Sequence, residues 1–268
     1  MSNKDLKIVQ HSAEELRSLY TWKHRAFELA NIVLFWVFVL ATAWKVVPYA
    51  AASPWLTLAA FLTGFIVADW VSGFVHWLAD TWGSTDTPLV GKALIRPFRE
   101  HHVDQRAITR HDYIETNGNN CAISVPWAIG CFLTPLDHGY HHLALFWVVS
   151  ITSMIFWVMM PNQFHKWAHE TDEERPGIVT WLQRLHLILP PEHHQIHHTR
   201  PFLDYYCITT GWLNWPLKKI GFYRGSEKFV TATLGWLPRQ DDIGLKAALS
   251  LAPQVDPIEK RPEHQLEH

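Results

Sequence analysis

The sequence predicts an all-α, polytopic membrane protein with about four transmembrane helices and a histidine-rich helical cap on the cytosolic face. Three observations predict it: long apolar runs, an uneven distribution of Lys and Arg between the loops, and 18 histidines spread along 268 residues. The formal net charge of −2 leaves no basic surface of the kind that binds nucleic acid.

Four apolar runs are candidates for transmembrane helices. Those near residues 27–44 and 54–78 are long enough to cross a hydrocarbon core of about 30 Å. The run near 121–136 is shorter and contains Pro126, so a re-entrant segment is the alternative to a full crossing. The run near 143–160 is fully apolar. A soluble helical protein is the alternative to a membrane protein, and runs of this length with Trp at their borders disfavour it.

The Lys and Arg residues predict the orientation. Five precede the first run and five lie in the loop 81–120, whereas the connection between the first two runs has only Lys45. The loop between the third and fourth runs has none, so the positive-inside rule places both termini and the loop 81–120 in the cytosol. We therefore expect a cytosolic N-terminal segment 1–26, a membrane domain 27–224 with a cytosolic cap formed by 81–120 and 161–224, and a C-terminal tail 225–268.

Ten histidines gather on the predicted cytosolic side. The i, i+4 spacing of His165 and His169 puts both imidazoles on one helical face, and His194, His197 and His198 share another. Neutral imidazole is a common ligand for Zn, Cu, Fe and Ni. A zinc site uses three or four protein ligands, so this number predicts two metals. The predicted ligands are His76, His101, His102, His111, His165, His169, His186, His194, His197 and His198.

The stretch HGYHH at 138–142 has the same H-x-x-H-H spacing as 194–198. The count of membrane crossings places it on the far side of the membrane, so we interpret it as a polar loop. If the third run is re-entrant, His138, His141 and His142 return to the cytosolic side instead.

Charged residues accompany the histidines. Asp80, Asp112 and Glu100 are candidates to orient the imidazoles from behind, as carboxylates do at metal sites, and His193 is a weaker candidate of the same kind. Asp69 lies inside the second run, about 10 Å before His76 on roughly the same face. An ionisable group within a span is a functional candidate, and a hydrogen bond to a neighbouring helix is the alternative.

Other residues allow two interpretations each. The Arg and Lys side chains of the cap are candidates to bind a lipid phosphate, or they reflect only the positive-inside bias; they are Arg96, Arg99, Arg110 and Lys166. The segment 117–120, Asn-Gly-Asn-Asn, predicts a turn, and an Asn side chain that binds the metal or orients one of its ligands is the alternative. The three cysteines form no C-x-x-C pair and are predicted to be core or lipid-facing thiols: Cys121, Cys131 and Cys207.

Five ordered stretches resemble the plasmanylethanolamine desaturases, the Kua/CarF family of membrane histidine-box enzymes. They are SGFVHWLADTWGS, IRPFREHHVDQRAITRHDYIETNGNN, QFHKWAHE, LHLILPPEHHQIHH and YYCITTGWLNWPLKKIGFYR, and they cover most of residues 69–224. The family's histidine boxes map onto HKWAH (His165, His169) and HQIHH (His194, His197, His198).

The resemblance implies an oxidoreductase of lipid metabolism with two Fe ions that uses O₂. It would remove two hydrogens next to the ether oxygen of a 1-O-alkyl phospholipid and give the vinyl ether of a plasmalogen. Electrons would come from an external protein, either cytochrome b5 fed by NAD(P)H or ferredoxin. The membrane would be the endoplasmic reticulum in a eukaryote or the inner membrane in a bacterium, with the active site on the cytosolic face.

Two alternatives remain from the residues alone. An acyl-lipid desaturase or a hydroxylase would use the same histidine-rich site. A non-enzymatic metal transporter or scaffold is disfavoured, because its ligands would lie along a path at mid-membrane rather than at one face.

Overall fold

The computed structural model describes residues 20–88, 90–91, 95–137, 139–199 and 202–238, without the side chains of 99 and 103. Within these ranges the chain is helical and contains no strand, which confirms the all-α prediction. The helices are α1 (Trp22–Ala52), α2 (Pro54–Thr81), α3 (Arg96–Val103), a 3₁₀ turn (Ala107–Arg110), α4 (Tyr113–Leu133), α5 (His141–Met159), α6 (Pro161–His169), α7 (Gly177–Arg184), α8 (Pro191–His197), α9 (Asn214–Lys219) and α10 (Phe222–Leu234).

Three described stretches are long and apolar enough to cross a membrane: Trp22–Ala52, Pro54–Thr81 and His141–His169. They contain the first, second and fourth predicted spans. Large apolar side chains such as Leu40 and Trp147 stay more than half exposed on the surfaces of α1 and α5. A hydrocarbon environment accepts such side chains where water would not, so the chain is a polytopic membrane protein.

Helix α4 corrects the turn predicted at 117–120. The helix begins at Tyr113, because the carboxylate of Asp112 accepts hydrogen bonds from the backbone N–H groups of Ile114 (3.0 Å) and Glu115 (3.1 Å). The Asn-Gly-Asn-Asn segment is therefore helical, and Gly118 packs against the Glu28 side chain of α1. Burial against α1 outweighs the weak local preference of Asn and Gly for a turn.

Helix α4 runs parallel to α1 over the same depth. Near the start of both helices, the Asn119 side chain donates a hydrogen bond to Glu28 (3.1 Å). Near their ends, the Lys45 ammonium donates to the carbonyl groups of Cys131 (2.8 Å), Phe132 (2.6 Å) and Thr134 (2.8 Å). Glu28 and Lys45 are 17 residues apart, about 25 Å along a helix. The described loop residues 134–137 and 139–140 consequently lie at the opposite end of the bundle from the start of α1.

Helices α2 and α5 also run side by side. The Ser153 hydroxyl donates a hydrogen bond to the Phe61 carbonyl (2.7 Å), and Gly64 lets the α5 backbone approach closely at Ser150. The carboxyl ends of α2 and α5 and the amino ends of α1 and α4 therefore meet at one end of the bundle, where α3 and α6 to α10 form the cap.

Two further predictions concern the core and the C-terminal region. Cys121, Cys131 and Cys207 are buried and free, as predicted. Helix α10 crosses residue 225, where we expected the tail to begin, and Glu227 of this helix accepts a hydrogen bond from Trp77 of α2 (3.0 Å). Residues 239–268 of the predicted tail and 1–19 of the predicted N-terminal segment lie outside the described ranges.

Candidate metal centre

Histidines from four helices converge at the end of the bundle that carries the cap. Helix α2 contributes its last turns, α3 its consecutive pair, α6 the predicted i, i+4 pair, and α8 with the residue after it the remaining three. Helix α8 begins at Pro191, where the ring fixes φ, and His194, His197 and the following His198 enter the candidate ligand groups. Within the described residues, these side chains form two groups that could hold metal ions.

The five-histidine group consists of His101, His165, His169, His194 and His198. All five direct Nε2 at the same point. The Nε2 atom of His101 lies 2.7 Å from that of His198, 2.8 Å from that of His165 and 3.2 Å from that of His169. The Nε2 of His194 lies 2.8 Å from the Nε2 atoms of both His169 and His198.

These separations fit a metal site. Five neutral imidazoles cannot satisfy one another through Nε2, because each has one N–H and one acceptor nitrogen. Two imidazole nitrogens bound about 2.0–2.1 Å from one metal at a right angle stand about 2.9 Å apart. The observed distances of 2.7 to 3.2 Å surround this value, so the group is suited to a first-row transition metal.

The histidine–aspartate group consists of His76, Asp80, His102 and His197. The Asp80 Oδ2 atom lies 3.3 Å from Nε2 of His76, 3.6 Å from Nε2 of His102 and 3.5 Å from Nε2 of His197. We predicted that Asp80 orients an imidazole from behind, whereas the structure places its carboxylate among the candidate ligand atoms. Mixed imidazole and carboxylate ligands are typical of non-haem iron.

Two backbone carbonyl groups orient imidazoles of this group. Nδ1 of His76 lies 3.1 Å from the Tyr206 carbonyl oxygen, and Nδ1 of His197 lies 3.0 Å from that of Asp204. In each pair Nδ1–H donates to the carbonyl, which leaves the Nε2 lone pair directed at the centre.

Burial favours the neutral form of His101, His194 and His197 by lowering the pKa of each. It lowers the pKa of His101 and of His194 well below the ordinary value, and neighbouring imidazoles, first among them His165, add to the effect. Burial also lowers the pKa of His197 to about 4, although the Asp80 carboxylate acts in the opposite direction. Neutral imidazole is the metal-binding form, so the ligands need no deprotonation near pH 7.

The structure brings eight of the ten predicted histidines into the two groups, but not His111 or His186. His111 places Nε2 3.7 Å from a carboxylate oxygen of Glu115. His186 is exposed, and its ring centroid lies 5.4 Å from that of His193, which also lies outside both groups. His141 and His142 belong to neither group, and His138 lies outside the described residues.

The predicted carboxylates other than Asp80 have different partners. Asp112 caps α4 and forms an ion pair with Arg25 (2.6 Å). Glu100 accepts a hydrogen bond from Arg96 (2.7 Å). Asp69 accepts hydrogen bonds from the backbone N–H groups of Thr210, Gly211 and Leu213.

The predicted phosphate-binding side chains are largely engaged within the protein. Arg96 is buried, and its guanidinium pairs with Glu100 and also with Glu115 (3.3 Å). Arg110 pairs with Asp104, and Lys166 donates a hydrogen bond to the His111 carbonyl (2.8 Å). The side chain of Arg99 lies outside the described part of the structure.

A pocket that is partly open to the surroundings adjoins the five-histidine group. Its lining includes the candidate ligands His101 and His165 together with polar side chains such as Glu115 and Asn162. Its lining comprises Pro97, Phe98, His101, Ala107, Ile108, His111, Glu115, Thr116, Asn119, Asn120, Asn162 and His165. The predicted site residues did not include Glu115 and Asn162. The i, i+4 spacing of His111 and Glu115 was the pattern that could have indicated Glu115.

The sequence profile of a lipid desaturase domain matches residues 65–241, which include both groups. The chain belongs to the lipid desaturase family. This lipid desaturase is 52% identical over 246 residues to a plasmanylethanolamine desaturase of Myxococcus xanthus, covering 91% of this chain and 85% of the relative. It is 43% identical over 246 residues to the mouse plasmanylethanolamine desaturase 1, covering 87% of this chain and 88% of that protein.

More distant relatives include the chloroplastic fatty acid desaturase 4-like 2 of Arabidopsis thaliana, 31% identical over 221 residues, or 82% of this chain and 75% of the relative. No solved structure matches this lipid desaturase. Membership of the family makes the chain an enzyme, an oxidoreductase that acts as a desaturase.

Proposed function

We propose that this lipid desaturase uses two irons and O₂ to form the vinyl-ether double bond of a plasmalogen from a 1-O-alkyl ethanolamine phospholipid. The observation that carries the proposal is the pair of adjacent ligand groups in one buried centre. The names of the two relatives with 52% and 43% identity support the choice of substrate.

The reaction balances with one O₂ and two external electrons. The –CH₂–CH₂–O– unit loses two hydrogens and becomes –CH=CH–O–, while O₂ takes up these hydrogens, two electrons and two protons and leaves as two waters. When bound, the irons would supply the redox chemistry that a protein side chain lacks. An external donor, either cytochrome b5 or ferredoxin, would supply the electrons.

The two groups are close enough to work as one centre. His101 and His102 are consecutive, yet they belong to different groups, and the same holds for His197 and His198. Eight imidazoles and the Asp80 carboxylate would hold the two irons. The burial of this ligand set would exclude bulk water and so protect reactive species from side reactions.

The position of the pocket supports a reaction near the polar end of the lipid. The carbons that become the vinyl ether are the first two beyond the ether oxygen, so glycerol and phosphate must lie beside the irons. A pocket lined by His101 and His165 and also by Glu115, Asn119 and Asn120 offers polar surface next to the candidate ligands. Desaturation in the middle of an acyl chain would leave the headgroup many bonds away.

The distribution of charge supports a cytosolic active site. Arg25 and the basic loop with Arg106 and Arg110 lie at the site end of the bundle, while the loop 134–140 at the other end has no Lys or Arg. The positive-inside rule therefore assigns the centre to the cytosolic face. The membrane would be the endoplasmic reticulum in a eukaryote and the inner membrane in a bacterium.

The second candidate function is desaturation or hydroxylation of an acyl lipid by the same centre. The similarity to the fatty acid desaturase 4-like protein of Arabidopsis thaliana favours it, although the identity is lower, at 31%.

Lipid mass spectrometry separates the two candidates. We expect cells that lack native plasmalogens to produce acid-labile vinyl ethers when they express this chain and receive an alkyl-ether lipid. The variant His198→Ala should produce none, and His142→Ala, at the opposite end of the bundle, should match the wild type. A desaturated acyl chain or a hydroxylated product without vinyl ether would overturn the proposal. Iron analysis tests the metal: we expect two irons per chain, and zinc without iron would refute it.

A further inference from the structure

Asp69 is a buried carboxylate in a membrane-spanning helix, with 2% of its surface exposed. Its Oδ1 atom accepts hydrogen bonds from the backbone N–H groups of Thr210 (2.7 Å) and Gly211 (3.0 Å). Its Oδ2 atom accepts one from the backbone N–H of Leu213 (3.1 Å). Asp69 therefore fixes a loop of the cap to the interior of α2.

Residues 204–214, here named the strap, continue from this anchor along α2 toward the metal centre. The Ser72 hydroxyl accepts a hydrogen bond from the backbone N–H of Ile208 (3.1 Å). One residue further, Gly73 allows the strap to touch the helix, since a Cβ atom there would lie 2.4 Å from Sγ of Cys207. The Asn214 side chain closes the strap with hydrogen bonds to the N–H (2.8 Å) and the carbonyl (2.9 Å) of Cys207.

The far end of the strap supplies the carbonyl groups that orient His76 and His197. Both imidazoles belong to the histidine–aspartate group. In the five-histidine group, by contrast, Nδ1 of His101, of His194 and of His198 has no hydrogen-bond partner among the residues that the structure describes. Among the described hydrogen bonds, those from the strap to imidazoles therefore reach the histidine–aspartate group.

We propose that Asp69 is a positioning residue for the metal of the histidine–aspartate group. It lies seven residues before His76, about 10 Å along the helix, so it acts through the strap and binds no metal itself. Without the anchor, the carbonyls of residues 204 and 206 lose their fixed position and the two imidazoles can rotate. The inference rests on the proposed two-iron function, and it adds that the two irons differ in their dependence on Asp69.

A purely structural role predicts a different result. If Asp69 only held the cap on the bundle, its loss would weaken both irons equally. The variant Asp69→Asn keeps the shape of the side chain but replaces one acceptor oxygen with an NH₂ group that faces backbone N–H donors. Changes to groups that orient metal ligands typically cost about 10–100-fold in metal affinity, and we expect a loss of this size at one iron.

The test measures iron release from the purified full-length protein in detergent. Each protein is loaded with ferrous iron and titrated with a chelator, and the iron that remains per chain is counted. In Asp69→Asn one iron should leave at about 10–100-fold lower chelator concentration than in the wild type, while the other is unchanged. The spectrum of the one-iron form should match that of His102→Ala, which lacks a ligand of the same group.

Two further variants keep the test decisive. Glu28→Gln is the matched control, because Glu28 is also a fully buried carboxylate in a span but contacts the side chains of Tyr20, His24 and Asn119. It should release both irons as the wild type does. Ser72→Ala removes one strap contact and gives a milder selective loss; it decides the question if Asp69→Asn does not fold.

The outcomes separate the two proposals. If Asp69→Asn, or Ser72→Ala in its place, releases both irons alike or behaves as the wild type, the positioning role is wrong and the two-iron function stands. If the wild type binds fewer than two irons, the proposed function itself fails.

Discussion

The two H-x-x-H-H segments of this chain occupy opposite ends of the helical bundle. In the segment 194–198, His194 and His198 enter the five-histidine group and His197 enters the other. In the segment 138–142, His141 and His142 begin α5 and are exposed. Helix α5 has 19 residues, about 28 Å, between this end and the metal centre. Spacing decides which residues share a helical face, but the course of the helices decides what that face meets.

Replacement of one histidine in each segment tests this comparison most strongly. We expect His194→Ala to lose all detectable desaturase activity, because it removes one of five converging ligands and leaves buried imidazoles unsatisfied. His141→Ala should keep activity within about twofold, since surface substitutions of this kind rarely matter. Product formation per milligram of purified protein is the measurement. A large loss in His141→Ala would mean that both segments serve the centre.

Helix α2 packs closely against α5, the helix that links the two ends of the bundle. The variant Gly64→Ala tests this packing. A Cβ atom at Gly64 would lie 2.2 Å from the Ser150 carbonyl oxygen, so one helix must move. Overpacking of this kind typically costs about 1–3 kcal/mol of unfolding free energy. Thermal unfolding in detergent should show a lower midpoint.

The matched control is Gly130→Ala, the same substitution in α4. No atom lies within 4 Å of the added Cβ atom at Gly130, so the helix should be unchanged or more stable. Equal midpoints for the two variants would contradict the packing role of Gly64.

Metal removal should reveal the contribution of the segment 194–198 to stability. A ligand that binds only the folded state at 100 times its Kd stabilises that state by about 2.7 kcal/mol. Chelation of the bound metal should therefore lower the melting midpoint of the wild type and of His142→Ala by the same amount. In His194→Ala the decrease should be smaller, and a full decrease there would argue that the metal lies elsewhere.

The smallest effect is expected for His186→Ala. The family resemblance placed His186 in a matching motif, but the side chain is exposed and outside both groups. Activity and iron content should stay within about twofold of the wild type. A loss comparable to that of His194→Ala would return His186 to the ligand set.

The sequence predicted the parts of this structure that depend on local patterns. The apolar runs in α1, α2 and α5 were visible because hydropathy is a property of consecutive residues. The start of α4 was missed, because its cap at Asp112 and the burial of Gly118 against α1 outweigh the turn preference of the segment 117–120.

The site was predicted less completely than the spans, for a physical reason. The i, i+4 spacing placed His76 and Asp80 on one face, but it could not show whether the carboxylate faces the metal or the back of a ring. The division of the histidines into two groups depends on contacts between residues about 100 positions apart, such as His101 with His198. No local pattern encodes such a division.

The two consecutive histidine pairs described above limit the distance between the two candidate metal sites. Each pair has one ring in either group. His101 and His198 belong to the five-histidine group, and their neighbours His102 and His197 belong to the histidine–aspartate group. Consecutive Cα atoms are always 3.8 Å apart across a trans peptide. Each pair therefore keeps the two sites at a short separation that the backbone fixes. Insertion of a single residue into either pair would change the separation of the two sites, whereas an insertion in a surface loop would leave that separation unchanged.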